Sequence, residues 1–208
     1  MENESWVSLQ IHPSLKNWLI MWGPAIAAGL VFIFFKKHKR LITLFGTSKW
    51  RSLAMFAPLF AILSITNKDP KYLLFSAVAF ISFFGEELGW RGFLQDALRP
   101  LSKIKRYMLI GVTWEFWHFT NRIHSGTSTE VFKRLLIFYP ALILLSALMG
   151  ELVDRTRSLL VAITLHASVI LLLADEIPQG WIAVAGSVPI WIYLFATWPR
   201  NNHPINNK

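Results

Sequence analysis

The chain reads as an all-α membrane protein, a polytopic bundle of about seven transmembrane helices, and three observations lead there. It is 54% hydrophobic with only 16% charged residues, against about 25% charge in an ordinary soluble domain. Its mean hydropathy is +0.43. Its apolar residues fall in blocks of roughly 16 to 20, the length that crosses a bilayer.

Seven blocks follow in order. The first, residues 17–35, lacks a cationic leader and a small-residue cleavage site, so it reads as a retained helix. It stops at Lys36-Lys37-His38-Lys39-Arg40. The second, 50–66, stops at Asn67-Lys68-Asp69-Pro70. The third, 72–95, carries two glutamates and an arginine near its end. The fourth, 107–121, is short and unusually polar. The fifth and sixth span 133–150 and 158–174. Glu176-Ile177-Pro178-Gln179-Gly180 then separates the seventh, 180–198. Backbone groups in lipid must be satisfied within their own segment, so all seven are expected to be helices. No repeat, low-complexity stretch or linker divides them. The expected organisation is one transmembrane helical domain over 17–198, an extracytoplasmic tail over 1–16 and a cytoplasmic tail over 199–208.

The formal net charge of +9 does not point to nucleic acid. The basic residues flank apolar blocks, where anionic lipid headgroups are the natural partner. Seven crossings place the first, third and fifth connections and the C-terminus on one side. That side holds fourteen Lys and Arg, the other six, and Arg91 lies within a helix. Short loops rich in Lys and Arg stay inside, so the N-terminus is expected outside and the C-terminus in the cytoplasm. Trp18, Trp22, Trp50, Trp181, Trp191 and Trp198 lie near helix ends and read as interfacial anchors. With no cysteine, disulfides, thiolate nucleophiles and cysteine metal sites are excluded.

Ionisable residues inside such helices are costly and mark function. Glu86, Glu87 and Arg91 lie in the third block, His118 in the fourth and His166 in the sixth. At a rise of 1.5 Å per residue, Glu86 and His166 lie roughly 13 Å and His118 roughly 16 Å from the same helix ends. Three helices thus carry ionisable groups to one depth. Glu87 and Arg91 are four apart, neighbours on one face and able to neutralise each other. Glu86 points about 100° away and has no partner on its own helix. Such a carboxylate suits a general base that takes a proton from water, with imidazoles to hold the water, polarise a carbonyl or protonate a leaving amine. Each feature has a bland counterpart: a structural ion pair at Glu87–Arg91, or hydrogen-bonded packing histidines. Glu115, His124, Glu151 and Asp154 read as interfacial, although Glu115 stands three residues before His118 and could orient its ring.

These residues resemble the motifs of the CPBP family of intramembrane proteases, which groups CAAX-processing endopeptidases with bacteriocin-immunity (Abi) proteins. Glu86-Glu87-x-x-x-Arg91 matches the first motif, and Leu88-Gly89-Trp90-Arg91-Gly92-Phe93-Leu94 resembles its flank. The second, an aromatic residue four before a histidine, reads Trp114-Glu115-Phe116-Trp117-His118, with Trp where Phe is usual. The third, a histidine in an apolar helix, is His166. The resemblance spans about residues 80–171 and implies a helical intramembrane peptidase, its core at about 71–174 and its pocket open to the cytoplasm. It implies Glu86 as the base that activates water, Glu87 and Arg91 as support, and His118 and His166 binding the scissile carbonyl, with no cofactor. Ile170 departs from the pattern: four residues after the third-motif histidine the family usually has a side chain that stabilises the oxyanion. Asn121 is the preferred substitute, ahead of Ser168 and Thr164.

Several readings stay open. Glu86, His118 and His166 could instead hold zinc, with water as fourth ligand, though no His-Glu-x-x-His is present. A non-catalytic or weakly catalytic immunity protein could keep the fold. A proton-coupled transporter would also bury such groups, but no inverted repeat is seen. The expected partners are membrane lipid and a peptide or membrane-associated protein substrate. A prenylated CAAX peptide, a leader peptide and a bacteriocin-like peptide all fit. The short compact chain resembles bacterial members, which places it in a bacterial cell membrane.

Overall fold

The computed structural model describes residues 15–34, 41–67, 70–122, 127–173 and 179–199. Seven principal helices account for nearly all of them. They are α1 (Leu15–Phe34), α2 (Lys49–Thr66), α3 (Pro70–Gly89), α4 (Lys103–Arg122), α5 (Ser128–Thr156), α6 (Leu159–Leu173) and α7 (Gly180–Ala196). The expected helices are all present, and no strand occurs among the described residues, only an isolated parallel bridge between Thr43 and Ser158.

Three of the helices differ from the expected ones, for local reasons. The third block is not uniform: α3 runs into a π-helical stretch, Trp90–Leu94, and then one α-turn, Gln95–Ala97. α4 starts four residues before the predicted 107, because charges that suggested a loop find partners on α5. Lys103 Nζ donates to Glu151 at 2.8 Å, and Arg106 pairs with Asp154. α5 outruns 133–150 at both ends. A capping box closes its start, with Thr127 and Glu130 bonding each other's backbone N–H. Arg157, in the left-handed region at φ 59°, ends it.

α5 is the one helix among the described residues that is long and apolar enough to cross a membrane by length and composition alone. α6 and α7 are apolar but shorter; fifteen residues of α6 span about 22 Å, below a hydrocarbon core of about 30 Å. α6 is also a central helix, with eleven of its fifteen residues buried. It packs against α2, α3, α5 and α7, so its apolarity matches protein neighbours.

One end of the bundle is tied by the segment before α2. Thr43 N–H donates to Arg157 O at 3.0 Å, and Leu159 N–H to Thr43 O at 2.9 Å. Leu41 N–H donates to Asp96 Oδ2 at 2.8 Å. The first, third and fifth connections therefore meet at one end, as an alternating topology requires. These bonds also fix where α6, and with it His166, begins.

The tryptophans need correction. Trp50 and Trp181 are exposed, 77% and 61%, as interfacial anchors would be. Trp191 and Trp198 are buried and donate to Met55 O at 2.7 Å and Thr47 Oγ1 at 3.0 Å. Trp22 lies against Gly85 of α3. Trp191 and Trp198 are packing residues, because an indole N–H that finds an internal acceptor can be buried, and Trp22 packs on Gly85 with its Nε1 buried and without a hydrogen-bond partner among the described residues. The side chain of Trp18, residue His124 and both predicted tails outside 15–199 fall beyond the described residues.

Candidate active site

Two glycines determine how the acidic helix sits. Gly85 and Gly89 flank Glu86 and Glu87 on α3, four residues apart, and α1 lies against both. A Cβ on Gly85 would meet the Trp22 ring at 2.8 Å, and one on Gly89 would meet the Pro24 carbonyl carbon at 2.5 Å. Small residues at this spacing let helix backbones approach closely. The glutamates are thereby turned toward α4, α5 and α6. The Gly85-x-x-x-Gly89 spacing was legible in sequence, but only as a spacing.

Glu87 joins three helices. Its Oε2 accepts from Arg91 Nε at 3.2 Å, with both side chains fully buried. Its Oε1 accepts from His166 Nδ1 at 2.9 Å. Arg91 Nη1 continues to Ser146 of α5, donating to the carbonyl and to Oγ, each at 3.2 Å. The expected Glu87–Arg91 pair is therefore present, and Glu87 additionally orients His166. A single sequence holds no local signal for that contact across seventy-nine positions.

The π-turn extends this seam. It uses more residues per turn than an α-helix, so Gln95 stays on the side of Glu87 and Arg91 where a regular helix would rotate it away. Gln95 Nε2 donates to Gly150 O and to Asp154 Oδ1, each at 2.9 Å. Arg91 and Gln95 thus face Ser146, Gly150 and Asp154 of α5. Asp154, expected at an interface, also accepts from Tyr107 Oη at 2.7 Å.

Glu86 is fully buried and accepts from Trp114 Nε1 at 3.0 Å through Oε2. Its Oε1 is buried with no hydrogen-bond partner among the described residues. Its partner comes from α4, not from its own helix. His118 is oriented by its own helix, its Nδ1 lying 2.9 Å from the Trp114 carbonyl oxygen. That carbonyl can only accept, so the proton sits on Nδ1. The proposed orienting residue, Glu115, is buried instead of interfacial. Phe83 stacks on the His166 ring at 4.4 Å between centroids.

A cavity of about 210 Å³ opens among α4, α5 and α6. Trp114, His118 and His166 line it together with Leu142, Leu145 and Ile170. Glu86 and Glu87 do not line it; the Trp114 indole touches both Glu86 and the cavity. Ile170 is buried in the wall, 3% exposed. The Ser168 and Thr164 hydroxyls donate to their own helix, to Thr164 O at 2.6 Å and Leu160 O at 2.7 Å, and neither residue lines the cavity. Asn121 lies on α4, but its side chain is outside the described residues. As for zinc, no group of three His, Asp or Glu that could hold a metal occurs among the described residues, the set Glu86, His118 and His166 included.

The buried acids, the arginine, the two imidazoles and the apolar cavity suit hydrolysis of a bond held in a largely apolar environment. Residues 68–172 match the family model of the type II CAAX prenyl endopeptidase Rce1-like proteins. The match covers half of the chain, and the chain belongs to this family. It contains α3 through α6 almost entirely, the helices that build the site. No curated protein and no solved structure matches the chain.

Proposed function

We propose that this protein is an intramembrane endopeptidase that hydrolyses a peptide bond near the cytoplasmic membrane surface, with Glu86 activating water. The observation that carries the reading is the meeting of Glu86, Glu87, His118 and His166, from three helices, around Trp114 beside one cavity. Membership of the Rce1-like family supports the same activity class.

In this mechanism Glu86 Oε1 takes a proton from a water, whose oxygen attacks the carbonyl carbon. The carbonyl electrons move to oxygen, which His118 and His166 hold from the cavity wall. The tetrahedral intermediate collapses, the C–N bond breaks, and the proton on Glu86 passes to the leaving amine. One new carboxyl and one new amine result, and Glu86 is again a carboxylate. Glu87 acts through His166: with Nδ1 committed to Glu87, the ring meets substrate through Nε2. A second proton on that ring would balance the four buried groups Glu86, Glu87, Arg91 and His166.

The membrane reading belongs here too. All seven helices cross, the shorter ones as interior or tilted members, with the N-terminus outside and the C-terminus in the cytoplasm. The family description makes a prenylated CAAX peptide the first substrate to test. Purified wild type should cleave a farnesylated fluorogenic CAAX peptide, and Glu86→Gln should not, with equal membrane insertion and melting temperature. Wild-type rates from a folded Glu86→Gln protein would refute the assignment of the base.

Ile170 favours a second reading, a weakly catalytic or non-catalytic immunity protein, because it puts an alkyl group in the cavity wall beside His166. In that case Glu86→Gln would protect cells in an immunity assay as well as wild type does.

A further inference from the structure

We propose that Trp114 is the positioning residue of this site, holding the Glu86 carboxylate so that a chosen oxygen serves as base. The inference rests on the reading of Glu86 given above.

A glutamate side chain has several rotatable bonds and two equivalent oxygens. To act as a base it must present one of them in a fixed place. Trp114 supplies a single N–H, a donor only, and donates it to Oε2 at 3.0 Å. That leaves Oε1, the buried oxygen without a partner, to receive a proton. The indole cannot swing away: it is 1% exposed. The Arg91 guanidinium lies over its ring at 5.3 Å. The rings of His166 and His118 stand edge-on to it at 5.2 and 5.7 Å.

The backbone of the same residue fixes a second group. The Trp114 carbonyl oxygen accepts from His118 Nδ1, which sets the tautomer and turns Nε2 outward from the helix. Trp114 therefore fixes Glu86 of α3 and His118 of α4, and it lines the cavity, which Glu86 does not. A plain core tryptophan would bury its ring and find any acceptor for its N–H; this one bonds a fully buried carboxylate.

Two variants and one spectrum test the role in the full-length protein. Trp114→Phe keeps an aromatic ring and removes the N–H. A hydrogen bond to a charged group has a value that predicts a kcat loss of roughly 10- to 100-fold, with KM held within about twofold. Separately, the ultraviolet resonance Raman band that reports indole N–H bonding should lose one strongly bonded component in wild-type minus Glu86→Ala difference spectra. This measurement needs no substrate and does not depend on Trp114→Phe folding. An unchanged kcat in folded Trp114→Phe, a loss in KM alone, or a Raman difference of zero would overturn the inference. If Glu86→Gln were inactive while Trp114→Phe matched wild type, the proposed function would stand and the positioning role would fall. A fully active Glu86→Gln protein would remove the base assignment and the positioning role with it, and a Raman difference would then report only a structural hydrogen bond.

Discussion

Glu87 carries two obligations, one to Arg91 and one to His166, and both partners are buried. Removing one member of such a group leaves an uncompensated charge out of reach of water. Arg91→Met should therefore destabilise the protein by about 3–5 kcal/mol, read as a lower melting temperature in detergent. Glu87→Gln should lower both stability and activity, since its amide oxygen still accepts from Arg91 but no longer neutralises the buried guanidinium. Ile170 works in the opposite direction. A hydrogen-bonding side chain there would stand beside His166 in the cavity wall. A missing oxyanion donor costs about 10²- to 10³-fold in rate, so Ile170→Asn should raise kcat, by at least about tenfold, in the peptide assay. No gain in a folded variant would mean that the oxyanion is already held by other groups. At this scale the sequence was informative where partners are local. Glu87 and Arg91 share a helix face by spacing alone. The Glu87–His166 and Glu86–Trp114 bonds join residues that only the packed bundle brings together. The charged residues within apolar blocks were legible in the sequence, and the bonds that connect them were not.

Among the elements, α1 shapes the site without touching the cavity. Its Trp22 and Pro24 lie on Gly85 and Gly89, the residues on either side of the glutamate pair. Gly89→Ala would force a methyl into the Pro24 backbone, and overpacking of this kind costs about 1–3 kcal/mol. Activity should fall with it, because α3 would shift. Gly23 and Gly29 of α1 have open space where a Cβ would go, so Gly29→Ala should melt as wild type does. Equal melting temperatures for the Gly29 and Gly89 variants would contradict this packing. Helix existence was legible throughout, since each block is apolar and ends in charges or turn residues. The ends were less so. α4 begins among Lys103, Lys105 and Arg106, which look like a loop until Glu151 and Asp154 of α5 are seen opposite. The π-turn at Trp90–Leu94 left no sequence mark, because its residues are ordinary helix formers apart from Gly92.

For the molecule as a whole, the proposed orientation in the membrane rests on the meeting of the first, third and fifth connections at one end, together with the excess of Lys and Arg there. The absence of cysteine makes this directly measurable by single introduced cysteines. Residues at 99–102 and beyond 199 should react with an impermeant thiol reagent only from the cytoplasmic side, and residues at 68–69 only from outside. The same labelling from both sides, or the reverse pattern, would overturn the topology. The sequence carried the number of helices well, because apolar blocks and the charges that end them need no tertiary contact. It carried the interior poorly. α6 looks like a membrane span by composition, yet it is a buried central helix packed by α2, α3, α5 and α7.

The central claim is that Glu86 activates a water molecule for attack on a peptide bond. Single-turnover hydrolysis of the farnesylated peptide in H₂¹⁸O tests it most directly. The account predicts one ¹⁸O in the new carboxyl terminus of the product and none in the enzyme peptide that contains Glu86. Label in the Glu86 carboxyl would make it a nucleophile and contradict the account, as would hydrolysis at the wild-type rate by Glu86→Gln under the same conditions.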